Sequence, residues 1–136
     1  MKKLVSVIAG IMVIGTMLGG CGSAKLADIY DSETVESTAK QAVDALNEED
    51  YDSVTAMVRS DLQESLSAEV LSDALAKSCP DKGAFNEYKD AAVVGQKNKA
   101  GDDIAVAVVI AAYENQKVQY TISFDENMEI VGFYMK

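Results

Sequence analysis

The chain of 136 residues contains no histidine and no tryptophan, and only one proline and two cysteines. Without histidine it cannot form a Ser-His or Cys-His nucleophile pair, and it lacks the side chain most common at transition-metal sites. It also has no Gly-x-Ser-x-Gly nucleophile motif and no glycine-rich phosphate loop. We therefore predict a protein that is not an enzyme, and we expect no metal and no cofactor.

One segment begins like a calcium-binding loop but does not continue as one. Asp50 and Asp52 occupy the first and third positions of such a loop. The sixth position holds Thr55 where a glycine is needed, and the twelfth holds Asp61 where a bidentate glutamate is usual. We interpret the segment as a helix cap on a solvated surface.

Basic residues are scarce. Lysine and arginine number 12 against 22 acidic residues, so the formal net charge is −10. An acidic domain repels nucleic acid and anionic lipid headgroups, which excludes nucleic acid as a partner. Binding of a cationic partner is an alternative, although the need for solubility is enough to explain the negative net charge.

The N-terminus carries a leader. Lys2 and Lys3 precede an uncharged apolar run over residues 4–18, which ends in Leu18-Gly19-Gly20-Cys21. This plan is typical of a secretory signal, and the run is shorter than the ~20 apolar residues of a membrane span. The cysteine at its end makes the leader resemble a bacterial lipoprotein signal, whose lipobox is Leu-x-Gly/Ala-Cys.

That resemblance implies cleavage between Gly20 and Cys21 and a diacylglycerol group on Cys21. A plain signal peptide and a transmembrane anchor are the alternatives. We predict a signal peptide over residues 1–20, a lipidated N-terminus and tether over 21–31, and a single domain over 32–136. The domain would be anchored to the cell membrane on its extracytoplasmic side, and the membrane that carries the anchor is left open.

The second cysteine, Cys79, is predicted to be structural. With Cys21 lipidated, no intrachain disulfide can form. No histidine or basic cluster lies near Cys79 in the sequence to lower its pKa, so we interpret it as a small buried apolar residue.

The periodicity of apolar residues predicts helices followed by strands. Ser32 and Ser67 are candidate helix N-caps, Asp50 can cap a short helix between them, and Pro80 ends the helical part. After Gly83 the period changes from 3.6 to 2, with strands predicted at residues 104–112, 118–124 and 130–135 and a weaker candidate at 85–94. The predicted fold is α+β, with N-terminal helices packed on a curved antiparallel β-meander.

The strand at residues 104–112 is apolar on both faces, which suggests an interaction surface. We expect its bulkier residues to fill the core and its small residues to face outward, next to the last strand. The predicted interface, for a homodimer or an envelope protein, comprises Ala105, Ala107, Val109, Ala111, Val131, Phe133 and Met135. Alternatively, the alanines face the helices and leave space for a small molecule.

The order of several motifs resembles the bacterial domain of unknown function 3887, over about residues 33–136. The motifs are Glu48-Glu49-Asp50-Tyr51-Asp52, Ser60-Asp61-Leu62, Leu66-Ser67-Ala68-Glu69-Val70-Leu71, Gly83-Ala84-Phe85 with Tyr88, Thr121-Ile122-Ser123-Phe124-Asp125 and Ile130-Val131-Gly132. The resemblance implies a cystatin-like cone of the superfamily that includes nuclear transport factor 2 and ketosteroid isomerase. No activity is established for the domain, so no functional residues carry over.

We therefore predict a membrane-tethered extracytoplasmic lipoprotein whose domain is a non-catalytic binding or assembly module. The alternative is a small-molecule pocket in the mouth of the cone, with or without acid–base chemistry by a buried aspartate and a tyrosine. The identity of any ligand or partner is outside what the sequence indicates.

Overall fold

The computed structural model describes residues 26–136, which form three helices followed by four strands. The helices are α1 (Ser32–Asn47), α2 (Tyr51–Met57) and α3 (Ala68–Ser78), with a single 3₁₀ turn at Ser60–Leu62 between the last two. The strands are β1 (Phe85–Lys97), β2 (Asp103–Tyr113), β3 (Lys117–Phe124) and β4 (Ile130–Met135). They form one sheet in the order β1-β2-β3-β4, and all neighbours are antiparallel. The predicted α+β fold, with N-terminal helices packed on an antiparallel meander, is confirmed.

Short polar side chains start the helices. The Asp31 carboxylate accepts a hydrogen bond from the Thr34 backbone N–H at 3.0 Å, so α1 is capped one residue earlier than the predicted Ser32. Asp50 and Ser67 cap α2 and α3 as predicted, each accepting from the backbone N–H three residues further on.

The core lies between the helices and one face of the sheet. Alternate residues of β3 point into it, and its largest fully buried side chains are Tyr120, Phe124, Leu46, Leu71, Ile122 and Ile130. The apolar residues of α1 that recur at helical spacing pack on the same core: Val35, Ala39, Ala42, Val43 and Leu46.

The small residues of β2 face the helices, so the prediction that they point outward is wrong. Ala105, Ala107, Val109 and Ala111 are all 0% exposed and belong to the core. Each lies opposite a larger inward residue of β3: they pair in turn with Phe124, Ile122, Tyr120 and Val118. Because β3 already supplies the bulk, small side chains on β2 fill the remaining volume without strain.

The part of the predicted interface on β4 is also mostly internal. Phe133 and Met135 are buried in the core, opposite Ile122 and Tyr120 of β3. Val131 is half-buried at a shift in register, where the pairing of β3 with β4 is interrupted. The predicted set of seven residues therefore does not form a surface patch.

The segment before α1 belongs to the folded domain. Leu26 and Ala27 pack against the core, and Tyr30 is buried within it. The tether predicted to extend to residue 31 is therefore too long. Residues 1–25, with the predicted leader, cleavage position and Cys21, lie outside the described part of the chain.

Candidate functional site

The sheet has an outer face, which is the side turned away from the helices. Cross-strand partners share a face, so the register defines its rows. From β1 to β4 these rows are Val94–Val106–Ser123–Gly132, Ala92–Val108–Thr121–Tyr134 and Asp90–Ile110–Gln119–Lys136.

The outward residues of β2 are apolar, whereas those of the neighbouring β3 are the polar Gln119, Thr121 and Ser123. Ile104 and Val106 of β2 are only 8% and 6% exposed, yet they lie outside the cluster of residues that forms the main core. Val108 and Ile110 follow them along β2 and are half-buried, and Tyr134 of β4 is exposed. The bulky branched residues that we expected in the core thus form the outer face.

Charged residues of the outer face lie at its two edges. Glu87 and Asp90 are exposed on β1, and Lys117 and Lys136 are exposed on the side of β3 and β4. Glu87 also accepts a hydrogen bond from Lys89 at 3.2 Å. The outer face is consequently more acidic along its β1 edge and basic along the opposite edge.

The inner side of the sheet holds a buried polar cluster of Asn47, Tyr113 and Tyr120. The Tyr113 hydroxyl donates to Asn47 Oδ1 at 2.6 Å, and the two tyrosine hydroxyl oxygens lie 2.7 Å apart. Since the proton of Tyr113 is used on Asn47, Tyr120 is the donor to Tyr113. Burial raises the pKa of both phenols, so they are protonated near neutral pH.

The Asn47 amide is only half satisfied. Its Nδ2 atom is buried and has no hydrogen-bond partner among the residues that the structure describes. Exchanging the amide oxygen and nitrogen would leave the other atom unpaired at the same place. A buried amide atom without a partner usually contacts a water or a ligand group.

Cys79 is buried, as predicted, and burial raises the pKa of its thiol against the opposing effect of Lys82. A thiol held in its protonated form is a poor nucleophile. We predict that Cys79 reacts slowly with thiol reagents in the folded protein.

A second tyrosine contact joins β1 to α1. The Tyr88 hydroxyl donates to Asp44 Oδ1 at 2.6 Å and lies 3.1 Å from the Lys40 carbonyl oxygen. Burial raises the pKa of Tyr88, and the hydrogen bond to Asp44 raises it further. This phenol therefore acts as a hydrogen-bond donor that connects the edge strand to the longest helix.

Sequence reasoning missed both tyrosine contacts. Asn47 and Tyr113 are 66 residues apart, and Asp44 and Tyr88 are 44 apart. The only available signal was a polar residue, Asn47, at the end of an apolar helical stripe. That signal does not indicate which residue the Asn47 side chain contacts.

The segment that begins like a calcium loop is engaged in local contacts. Asp50 accepts from the Ser53 hydroxyl at 2.7 Å, and Asp61 pairs with Arg59 at 2.7 Å. The hydrogen bond from Arg59 lowers the pKa of Asp61.

Across residues 26–136, no group of three or more acidic, cysteine or histidine residues is placed to hold a metal ion. In the same range no helix is long and apolar enough to cross a membrane.

A family model described as "Protein of unknown function (DUF3887)" matches residues 39–133. The chain belongs to this family. The match runs from α1 into β4, so it includes the inner polar cluster and the outer face except for Tyr134 and Lys136. It confirms the family that the motif order indicated.

One similar solved structure is the "NMR structure of protein from Ruminococcus gnavus ATCC 29149". Its sequence is 28% identical, the similarity covers 81% of this chain and 95% of that one, and the TM-score is 0.71. No curated protein matches the chain. The similarity supports the arrangement of the DUF3887 domain and assigns it no activity.

Proposed function

We propose that this DUF3887 protein is a lipoprotein, tethered through Cys21 to the extracytoplasmic side of the cell membrane, and that its domain is a non-catalytic binding or assembly module. The leader that ends in Leu18-Gly19-Gly20-Cys21 supports the tether. The observation that carries the assembly role is the outer face, whose β2 residues are apolar and whose edges have opposite charge. We also propose that the domain belongs to the cystatin-like cone folds, because helices packed on one side of an antiparallel meander fit that architecture.

The inner groups support a non-catalytic role. Tyr113 and Tyr120 hold their protons through neutral pH and bond to each other, and Cys79 is buried with a raised pKa. A general acid or base works best when its pKa lies near the operating pH. The pKa values of these three side chains are raised away from neutral pH, so none of the three is suited to act as a general acid or base there.

The partner that best fits the outer face is a second copy of the chain. Two such faces can stack about a two-fold axis that runs along the strands. This operation lays β1 of one copy over β4 of the other. It therefore brings Asp90 near Lys136 of the second copy, and it does so twice by symmetry. The acidic edge meets the basic edge.

The size of the face suits a modest interface. Four strands about 4.8 Å apart, which share the roughly 20 Å length of the six-residue β4, give a footprint of about 400 Å² per copy. Two copies would bury about 800 Å², which is the size of a weak, transient complex. Such a pair would be weak in solution and strengthened when both copies are confined to one membrane.

The tether is tested on protein extracted from membranes. Mass spectrometry should find an N-terminal Cys21 that carries a diacylglycerol group, and Cys21→Ser should release the protein from the membrane fraction. A full-length unmodified chain, or a Cys21→Ser variant that is equally membrane-bound, would exclude the lipid anchor.

The assembly role is tested by sedimentation of the untethered domain from residue 24 onward. We expect a concentration-dependent monomer–dimer equilibrium. A strict monomer at high micromolar concentration, with no partner captured from membranes, would count against the outer face and favour an enclosed pocket.

The alternative is a small-molecule site, and two observations favour it. The alanines of β2 face the helices, as this alternative requires. The buried amide nitrogen of Asn47, beside the Tyr113 hydroxyl, has no hydrogen-bond partner among residues 26–136. Such a ligand would carry one group that bonds the amide and an otherwise apolar body, since the neighbouring inward residues are apolar. Native mass spectrometry of the purified chain should then detect a bound molecule that Asn47→Leu loses. A chain recovered without added mass would contradict this alternative.

A further inference from the structure

The folded domain begins close to the proposed lipid anchor. The Tyr30 hydroxyl donates to the Asp103 carbonyl oxygen at 2.7 Å and also approaches the Phe124 carbonyl oxygen at 3.4 Å. Tyr30 is only 8% exposed, and its backbone N–H donates to the Ala27 carbonyl oxygen at 3.0 Å. With Leu26 also packed against the core, the chain is fixed to the domain from residue 26 onward.

These contacts place the start of the domain at one end of the sheet. Asp103 is the first residue of β2 and Phe124 is the last residue of β3. In an antiparallel meander, these positions lie beside the turns at residues 98–102 and 125–129. We call this the Tyr30 end. The opposite, far end carries the turn at 114–116 and the loop at 79–84, which are joined where the Asn115 N–H donates to the Lys82 carbonyl oxygen at 2.9 Å.

The connection to the membrane is short. Five residue steps separate Cys21 from Leu26, and a fully extended chain covers at most about 17–18 Å in that length. The sheet is longer: β2 has 11 residues and extends about 37 Å. The Tyr30 end must therefore stay near the bilayer, and the far end can reach it only if the domain lies on its side.

The charge of the domain opposes that sideways position. Removal of residues 1–20 takes away Lys2 and Lys3 and leaves a formal charge of −12. A surplus of acid is repelled by anionic headgroups. The Tyr30 end is itself acidic, because Asp102, Asp103, Asp125 and Glu126 lie around Tyr30, so the short tether and not charge holds this end near the bilayer. An upright arrangement keeps the rest of the acidic body away from the headgroups.

We propose that the anchored domain stands on the membrane with its Tyr30 end against the lipid headgroups and its far end directed away. The strands then run approximately along the membrane normal, and the outer face stands clear of the bilayer. This orientation rests on the proposed anchoring at Cys21. The tether, rather than an attraction between charges, brings the Tyr30 end to the lipid surface.

The test uses the full-length protein in membranes and two matched cysteine variants. Lys99→Cys lies in the turn at the Tyr30 end, and Lys77→Cys lies in the last turn of α3, close to the far-end loop. Both lysines are exposed and both changes remove one positive charge, so the fold should be unaffected. Native Cys79 is buried and contributes little background.

The readout is the rate of labelling by a bulky, membrane-impermeant maleimide, before and after addition of detergent. We expect Lys77→Cys to be labelled at the same rate before and after detergent is added. Lys99→Cys should be labelled several-fold more slowly in the membrane than after detergent has removed the bilayer. Insertion of about ten glycine and serine residues after Lys25 should abolish the difference, because the longer tether no longer holds that end down.

The outcomes separate the two proposals. If Cys21→Ser leaves the protein equally membrane-bound, the anchoring is overturned, and the orientation with it. If anchoring holds but both cysteines react at the same relative rate, or Lys77→Cys is the shielded one, the orientation is overturned and the anchor stands.

Discussion

At the residue scale, side-chain volume decides which face of β2 is internal. Ala107 pairs with Ile122, and both are fully buried. Ala92 pairs with Val108 on the opposite face and is exposed. The two alanines lie on neighbouring strands of the same sheet, so they allow the same substitution to be compared in two environments.

We expect Ala107→Leu to lower the free energy of unfolding by about 1–3 kcal/mol, because a close-packed core has no room for the added methylene groups. Ala92→Leu should change it by no more than about 0.5 kcal/mol, as is usual for exposed positions. Urea unfolding of both variants measures the difference. Equal effects would contradict the assignment of the two faces.

The buried tyrosines predict a loss of stability at alkaline pH. Burial raises the pKa of Tyr113 and Tyr120 in the folded state above the value of about 10 in the unfolded state. The folded protein then binds more protons above that pH, so the stability from these groups is complete below about pH 10 and is lost as the pH rises further.

The Tyr113→Phe, Tyr120→Phe double variant should have a flatter decline of stability above pH 10 than the wild type. Tyr134→Phe, which changes an exposed tyrosine, is the control and should keep the wild-type slope. Unfolding by denaturant at pH 8 to 11 checks this. If the double variant declined as steeply as the wild type, the two phenols would not be the groups responsible.

At the element scale, capping determines where the first helix begins. Asp31 accepts hydrogen bonds from both the backbone N–H and the hydroxyl of Thr34, whereas Ser32 is the first residue of α1. The sequence contains two adjacent residues that favour the N-cap position, and local preference does not distinguish them. The chain before α1 decides, because Tyr30 is held in the domain and Asp31 follows it in an extended conformation.

Asp31→Ala should destabilise the protein by about 1 kcal/mol, the usual effect of losing an N-cap. Ser32→Ala should have a much smaller effect, since alanine is well tolerated within a helix. Thermal unfolding of the two variants measures both effects. A larger loss for Ser32→Ala would mean that the helix starts at the sequence-predicted cap.

The elements themselves could be predicted from local pattern, and their contacts could not. The 3.6-residue period of apolar residues predicted α1, and the alternation of apolar and polar residues over 118–124 predicted β3, because each pattern indicates an element with one buried face. In β2 both faces are apolar, so alternation did not say which one meets the helices. The contact between Asn47 and Tyr113 joins the end of a helix to a distant strand, and no local pattern reports it.

At the scale of the whole molecule, the argument for the dimer and the argument for the orientation on the membrane both concern the direction of the strands. Charge at the edges of the outer face favours a two-fold axis along the strands. The short tether at the Tyr30 end favours strands that run along the membrane normal. A two-fold axis parallel to that normal leaves both lipid anchors in one bilayer. An axis across the strands would point one anchor away from the membrane. The proposed dimer and the proposed orientation are therefore compatible.

A reversal of charge at the acidic edge tests this arrangement. Asp90 is exposed and lies in the row that ends at Lys136. In the stacked pair, Asp90→Lys would place lysines opposite each other at two symmetric positions. Exposed ion pairs contribute little individually, so we expect about 1 kcal/mol in total, or roughly a fivefold higher dissociation constant.

Sedimentation equilibrium of the untethered domain measures this change, and the matched control is Glu64→Lys. Glu64 is exposed in the segment between α2 and α3, away from the outer face, so its reversal alters the net charge equally without altering the contact. Combining Asp90→Lys with Lys136→Asp should restore association, because the two charges then exchange edges, and added salt should reduce the effect. If Glu64→Lys weakened the dimer as much as Asp90→Lys did, net charge alone would explain the result, and the two outer faces would not meet edge to edge.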